Sequence, residues 1–450
     1  MSERYPLPAD YIRQMREQLG NEAEAYFAAL NQPWVRGLRL NPRKPLADPS
    51  GWSPGLGEPI PWQRPNGFYL AQDSDAGTDV LHEAGAFYLQ EPSAMIPASV
   101  LSPKPRERVL DLCAAPGGKS TQIADALRGE GLLVCNEPVM SRARVLSRNL
   151  ERMGVRNALA VSAEPERLEG LWGESFDAVL VDAPCSGEAM FRRHPETRSQ
   201  WNPQTPAGCA VRQKRILASA CGLLRKGGRL VYSTCALNRE ENDGVVRWLT
   251  ETFPDMEPQP FSVCLGNGAA LETEGGALHL YPHCLRGEGH FVALFRKCGE
   301  APSDALRPAA DVLSRPSPAL MAAYDSFCQS LGCANPPRAN AQYGETLLSA
   351  PALPSLKGIQ TLRAGVRLGT MKGKTFLPDH ALAMCLGADA AAVCALDREQ
   401  ARLYQRGEEL SLPDGRSGFL LATCQGVALG FGKASDGRLK NHYPKGLRRP

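Results

Sequence analysis

The chain has 450 residues, more than one ordinary core holds, so roughly two to four domains are expected. Its 43% hydrophobic and 22% charged content excludes a disordered chain, and no apolar run approaches the ~18 residues of a membrane helix. A formal net charge of +3 is too small to name a partner by itself.

The opening segment Met1-Ser2-Glu3-Arg4-Tyr5 mixes charges and has no apolar stretch of signal-peptide type, so the protein is expected to stay in the cytoplasm. A first helix is expected from Asp10 as cap, through Tyr11, Ile12, Met15, Leu19 and Ala23. Pro- and Gly-rich loops from Pro42 to Asn66 join short strands of a small N-terminal module. From about Ala84 a helix-like stretch, broken by Pro92 and Pro97, leads into the clearest strand–helix unit of the chain. That unit runs Val109-Leu110-Asp111-Leu112, then the small-residue loop Cys113-Ala114-Ala115-Pro116-Gly117-Gly118-Lys119, then a helix from Ser120. A strand Gly131 to Glu137 follows, and then a helix with Val139, Ala143, Leu146, Leu150 and Met153 on its apolar face. Arg144, Arg148, Arg152 and Arg156 form a row at intervals of four, read as a solvated face.

Further strands are expected at Leu159–Val161, at Phe176–Asp182 and at Arg229–Thr234. The helix containing Ile216, Leu217, Ala220, Leu223 and Leu224 is expected to end at Gly227-Gly228. His290-Phe291-Val292-Ala293-Leu294-Phe295 reads as the last strand. Strands alternating with amphipathic helices indicate an α/β, doubly wound, mostly parallel sheet. Prolines at 302, 308, 316 and 318 mark a linker over residues 299–318, followed by a β-rich C-terminal region at 319–450. The stretch from Gly437 to Pro450 holds Arg438, Lys440, Lys445, Arg448 and Arg449 without an acid, a concentration of charge that fits either a nucleic-acid contact or a solvated tail.

The 14 cysteines include no Cys-x-x-Cys pair, and the seven histidines show no zinc-ligand spacing, so no metal is expected and the thiols read as reduced. Two of them stand apart. Cys185 follows Asp182-Ala183-Pro184 at the end of one strand, and Cys235 follows Tyr232-Ser233-Thr234 at the end of the next. Ligands of open α/β sheets bind outside the carboxyl ends of the strands, so both thiols should face one cleft. Gly117 and Gly118 let backbone approach a ligand there, and the next helix offers unpaired N–H groups. Glu137, at the end of the following strand, is placed to accept from ribose hydroxyls.

These features favour an adenosine-containing cofactor. The dinucleotide fingerprint is absent, and Cys113 stands where a phosphate loop needs its first glycine, which leaves S-adenosylmethionine as the better choice. A thiolate that adds to C6 of a pyrimidine makes C5 nucleophilic enough to attack a sulfonium methyl, and an acidic group at the N3–N4 edge would stabilise the charge.

The three motifs Cys113–Lys119, Asp182-Ala183-Pro184-Cys185-Ser186-Gly187 and Tyr232-Ser233-Thr234-Cys235 resemble those of the Sun/RsmF family of RNA cytosine-C5 methyltransferases. The likeness extends through Tyr88–Met95, Glu188–Arg192, Gly289–Ala293 and Lys440–Arg448, most like the RsmF branch. The resemblance implies a Rossmann-like methyltransferase domain at 81–298, an RNA-recognition-like module at 1–80 and a PUA-like C-terminal region. It implies Cys235 as the nucleophile bonding to C6, Cys185 as the thiol that releases product, and Asp182 as the group holding the pyrimidine edge beside the cofactor. Residues 113–119, Glu137 and Asp182 would contact S-adenosylmethionine. The family has an aspartate after the third strand; here Ser162-Ala163-Glu164 stands instead, and Glu164 is the expected adenine-side contact through a longer arm. The implied substrate is small-subunit ribosomal RNA and the implied working unit a monomer. Transfer RNA as substrate, or a non-catalytic role in ribosome assembly, is the competing reading.

Overall fold

The computed structural model describes residues 5–48, 55–300, 313–373 and 375–448. The middle of the expected linker, the centre of the Pro/Gly-rich segment and the end of the basic tail lie outside the described residues. Helices α1 (Ala9–Leu19) and α2 (Ala23–Leu30) precede a three-stranded antiparallel sheet. Its strands are β1 (Arg36–Leu40), β2 (Gly67–Leu70) and β3 (Phe87–Leu89), in the order β2-β1-β3. Asp10 does not cap α1. Pro8 occupies the cap position, and Asp10 lies in the first turn paired to Arg13. The stretch after Ala84 is strand rather than helix, because Phe87–Leu89 pairs with Leu38–Leu40. The N-terminal sheet therefore runs past the boundary expected at residue 80.

Short helices α3 (Val80–Glu83) and α4 (Ile96–Leu101) lead into the main sheet. Strands β4 (Arg108–Asp111), β5 (Leu132–Asn136), β6 (Ala158–Ser162), β7 (Phe176–Asp182) and β8 (Leu224–Thr234) run parallel in the order β6-β5-β4-β7-β8. Helices α5 (Gly118–Leu127), α6 (Met140–Arg152), α7 (Pro165–Trp172) and α8 (Gln204–Leu223) make the crossovers. The parallel strands read as unbroken apolar runs because both faces are covered, as Leu110, Val134, Leu159, Val179 and Leu230 are all fully buried. Each such side chain contributes about 1.5–3 kcal/mol on burial. The order reverses between β4 and β7, and a crevice opens at that switch point.

Helix α8 ends at Leu223, earlier than expected, because Leu224 already pairs with Phe176. Gly227-Gly228 instead form a bulge: β8 advances from Leu224 to Arg229 while β7 advances from Phe176 to Ala178. A Cβ on Gly228 would lie 2.7 Å from Leu224 Cδ1 and 3.0 Å from Asp177 O, which explains the glycine there.

After α9 (Asp243–Thr252), β9 (Met256–Pro258) and the hairpin β10–β11 (Phe261–Gly266, Ala269–Thr273), strands β12 (Ala277–Leu280) and β13 (His290–Lys297) extend the main sheet antiparallel beyond β8. The expected last strand, β13, is thus interior, flanked by β12 and β8.

The C-terminal region is not a separate unit. After α10 (Pro318–Leu331), strands β14 (Ala341–Tyr343) and β15 (Thr346–Ser349), strand β16 (Gln360–Ala364) pairs with β6 and closes the far edge of the main sheet. Strands β14 and β15 join β17 (Val366–Lys372) and β18 (Thr375–Pro378) in one sheet. A second sheet follows, made of β19 (Val393–Leu396), β20 (Leu410–Ser411), β21 (Gly418–Cys424), β22 (Val427–Ser435) and β23 (Arg438–Asn441). Leu38 and Phe87 of the N-terminal sheet share a core with Leu420, Ala422 and Leu439 of that second sheet. The arginine row on and just after α6 divides for the same reason. Arg144 and Arg148 are exposed, whereas Arg152 donates to Phe87 O at 3.2 Å and Arg156 to the carbonyl of Cys385.

Candidate active site

Register brings the two thiols together. Asp182 on β7 stands opposite Ser233 on β8, so both chains leave the sheet at the same level. Cys185 lies three residues past Asp182, Cys235 two past Ser233, and their sulfurs are 3.2 Å apart, both half-buried. The Cys235 sulfur beside it, together with burial, holds the Cys185 thiol well above its ordinary range. Two thiols this close do not both ionise, so one thiolate keeps its neighbour protonated.

Asp182 is surrounded by donors. Lys119 Nζ donates to its Oδ2 at 2.7 Å, Ser233 Oγ to its Oδ1 at 2.8 Å, and His290 Nε2 lies 3.4 Å from Oδ1. Burial alone would raise this carboxyl, but the Lys119 ammonium overcomes it and holds Asp182 well below the usual carboxylate range. Burial, reinforced by Lys119, pushes His290 down, so the ring is neutral at pH 7. Asp111, fully buried at the end of β4, receives Ser120 Oγ at 2.6 Å and is pushed up to about 7 by burial.

A cavity of about 530 Å³ opens over these strand ends. Among the residues expected from sequence, Cys113, Ala115, Glu137, Glu164, Asp182, Cys185 and Cys235 line it. Ala114, Pro116, Gly117, Gly118 and Lys119 do not. Ala114 N–H donates to Asn136 O at 2.8 Å, and Pro116 O accepts from Asn149 at 2.8 Å. Gly117, at φ +114°, turns the loop into α5, a conformation glycine tolerates best. Lys119 acts from beneath through Asp182. Burial raises the Cys113 thiol well above its ordinary value, which makes it a wall of the cavity and not a nucleophile.

Glu137 accepts Val139 N–H at 3.0 Å and pairs with Arg142 at 3.2 Å, which fixes its carboxylate toward the cavity. Glu164 sits at the N-terminal cap of α7. Arg212 and Arg215 of α8 also reach the cavity, where Arg215 pairs with Glu166 at 2.8 Å. Sequence reading missed both; their signal was a pair of arginines three apart, opposite the apolar face Leu217, Ala220 and Leu223.

A buried polar layer fixes the loops that carry the sulfurs. Glu241 accepts Ser186 N–H at 3.0 Å, Gln213 Nε2 at 2.7 Å and Asn238 Nδ2 at 2.8 Å. Glu188 accepts from Leu237 N at 2.7 Å, Asn238 N at 2.9 Å, Trp201 Nε1 at 3.0 Å and Asn238 Nδ2 at 3.0 Å. Burial pushes Glu188 up to about 7 despite these donors. Ala189 N–H donates to Cys235 O at 2.9 Å, tying the two loops directly.

The volume fits a nucleoside-sized ligand, within the ~300–1,000 Å³ usual for such pockets. The donor set fits S-adenosylmethionine: carboxylates of Glu137 and Glu164 for ribose and base, and acidic groups suited to a sulfonium cation.

Comparison with known proteins agrees with this geometry. Residues 98–296 match the family model of the 16S rRNA methyltransferase RsmB/F, and residues 7–92 that of the N-terminal domain of RsmF. Residues 326–386 match the first C-terminal domain of RsmF, and 391–449 its PUA domain, so the PUA match covers only the second of the two C-terminal sheets. The ribosomal RNA small subunit methyltransferase F of Klebsiella pneumoniae is 33% identical over 468 residues, covering 98% of this chain and 96% of that protein. Its namesake from Pectobacterium atrosepticum is 34% identical over 468 residues with the same coverage. A methyltransferase homolog from Pyrococcus horikoshii superposes with a TM-score of 0.55 at 29% identity, covering 66% of this chain and 97% of its own. NSun6 from the same organism, solved with SFG, shares the fold with a TM-score of 0.52 at 22% identity, covering 65% and 99%. With near-complete coverage by these relatives and all four domain models matched in order, the chain belongs to the RsmF family of 16S rRNA methyltransferases.

Proposed function

We propose that the chain methylates C5 of a cytosine in small-subunit ribosomal RNA, with S-adenosylmethionine as donor and a covalent bond from Cys235 to C6 of the base. The observation that carries this reading is the pair of sulfurs 3.2 Å apart beside Asp182 over one cavity. Glu137 and Glu164 hold the cofactor, with Cys113 and Ala115 of the 113–119 loop as part of its wall. Bound there, the cofactor would supply an electrophilic methyl group to C5 and leave as the neutral thioether S-adenosylhomocysteine.

The target base leaves its stack to enter the cavity, at a cost of a few kcal/mol that RNA contacts elsewhere on the chain offset. Cys235 as thiolate forms the S–C6 bond, and the electron pair of the C5–C6 double bond becomes available at C5. Asp182, kept ionised by Lys119, accepts from the exocyclic N4 amine and fixes the pyrimidine edge. Once its sulfur is a neutral thioether, Cys235 no longer suppresses ionisation of Cys185, which releases its thiol proton to solvent. Cys185 then takes the proton from the methylated C5, the C5–C6 double bond re-forms, and the C6–S bond breaks to return the Cys235 thiolate.

The N-terminal module at 1–80, its sheet reaching Leu89, and the C-terminal region at 319–450, which the 299–318 segment links to the methyltransferase domain, are proposed to hold the RNA. The working unit is proposed to be a monomer. Ribosomal RNA as substrate places this work in the cytoplasm. Among the described residues no helix is long and apolar enough to cross a membrane. The test is bisulfite mapping of small-subunit ribosomal RNA incubated with donor and protein. New protected cytosines are expected with the native chain and none with Cys235→Ala; protection of transfer RNA alone would redirect the substrate.

A further inference from the structure

A second feature lies at the seam between the N-terminal sheet and the catalytic domain. The guanidinium of Arg193 lies 4.9 Å from the ring centroid of Trp34, and that of Arg36 lies 5.5 Å from it. The two arginines differ in what else they hold. Arg36 is tied down by the carbonyls of Ala71, Gln72 and Ser74 at 3.2, 2.7 and 2.8 Å. Arg193 is exposed and, among the described residues, pairs with no carboxylate and donates to no carbonyl. A stack serving only to pack the seam has no use for a solvated, unneutralised cation.

One buried carboxylate fixes both halves of this stack. Glu288, almost fully buried, accepts the N–H of Val35, the residue after Trp34, at 2.6 Å. It also takes a bidentate pair from Arg192, the residue before Arg193, at 2.6 and 2.7 Å. The stack is therefore preorganised rather than a chance contact between mobile side chains. It opens onto a small cavity of about 120 Å³, lined also by Gly37, Gln90 and Glu91. The polar groups there are already engaged. Gln90 bonds Arg39 at 2.8 Å and Ala94 O at 3.0 Å, and Glu91 takes the N–H groups of Ser93 and Glu288 at 2.9 and 2.8 Å.

The site is also close to the reaction. Ala189 bonds Cys235 O at 2.9 Å, and Arg193 follows only four residues later, within about 14 Å along the chain.

We propose that the Trp34–Arg193 stack seats a nucleotide of the single-stranded RNA flanking the target cytosine, its base stacked on the indole–guanidinium pair and its phosphate on the Arg193 charge. This rests on the function proposed above and names a contact of the same substrate. Aromatic and guanidinium planes are the usual platforms for unpaired bases. Because the Glu91 carboxylate is taken up by its own loop and by Glu288 N–H, and the Gln90 amide is already held by Arg39 and Ala94, the seat is tolerant of sequence.

The test uses the full chain and a single-stranded 12-mer oligoribonucleotide with one cytosine, carrying 5-iodouridine at neighbouring positions. Irradiation should cross-link 5-iodouridine to the peptide containing Trp34. Trp34→Ala should remove that cross-link and weaken binding about tenfold, while Trp34→Phe keeps most of the affinity. Arg193→Ala should flatten the slope of log affinity against log salt by about 0.7. Unfolding midpoints equal to that of the native chain show that the variants fold. Cross-links that map elsewhere, or variants with native affinity and salt slope, overturn the seat. A native chain that gives the cross-link to Trp34 but methylates no cytosine refutes the proposed function instead.

Discussion

Replacing Lys119 by Met tests how the site manages charge. The ammonium lies 2.7 Å from Asp182 Oδ2, with only 10% of the lysine side chain and 29% of the aspartate exposed. Removing one member of a buried pair costs about 3–5 kcal/mol. Asp182 keeps Ser233, the nearby His290 ring and some solvent, so a cost below that range, about 2–3 kcal/mol, is expected at pH 7. The pH dependence follows in sign. In the native chain the depressed Asp182 contributes stability that is present above its unfolded value of about 4 and lost as pH falls through the lower folded value. Without Lys119, burial has less opposition and the carboxyl rises. The variant then loses stability as pH climbs from about 4 toward that raised value, so the gap in unfolding midpoint widens between pH 4 and 7. Methyl incorporation into ribosomal RNA should fall about 100-fold at pH 6 and recover in part at higher pH, as the carboxyl ionises. Coincident pH profiles of stability and activity for Lys119→Met and the native chain would refute the reasoning.

Other outcomes follow from the same geometry. Glu188→Gln turns an acceptor of four donors into a group whose amide faces two of them, and should lower stability by about 2–4 kcal/mol, read as a drop in unfolding midpoint at pH 8. Glu137→Ala should weaken binding of S-adenosylhomocysteine by at least about tenfold in calorimetry while leaving the unfolding midpoint of the free protein within a few degrees. Asp111→Asn removes a carboxyl raised to about 7, whose folded form holds its proton more tightly than the unfolded chain. Native stability should therefore decline as pH rises from about 4 to 7 by an increment that the variant lacks, measurable by denaturant titration at both ends of that window.

The parts of the site legible in sequence are those set by strand ends. Short apolar runs, Ala178–Val181 and Leu230–Tyr232, locate the ends of β7 and β8, and the residues at and just beyond those ends, Asp182, Cys185 and Cys235, face the crevice. Glu137 was legible for the same reason. Illegible were contacts that depend on register between distant segments. Lys119 reads as the end of a half-formed phosphate loop, yet its ammonium serves Asp182, 63 residues away. His290 and Ser233 join that carboxylate through the pairing of β13 and β7 with β8. The bulge at Gly227-Gly228 looked like a helix terminus because glycine serves both ends. Strand β16 escaped notice as part of the main sheet because an edge strand contributed from the C-terminal region has no local signature.

The most direct measurement is covalent trapping with Cys185→Ala, donor and ribosomal RNA, followed by denaturing electrophoresis and mass spectrometry of the RNA-linked peptide. The account predicts a stable protein–RNA complex linked through Cys235, which vanishes when Cys235→Ala is added. A complex that survives the double substitution, or a link through any other residue, would contradict it.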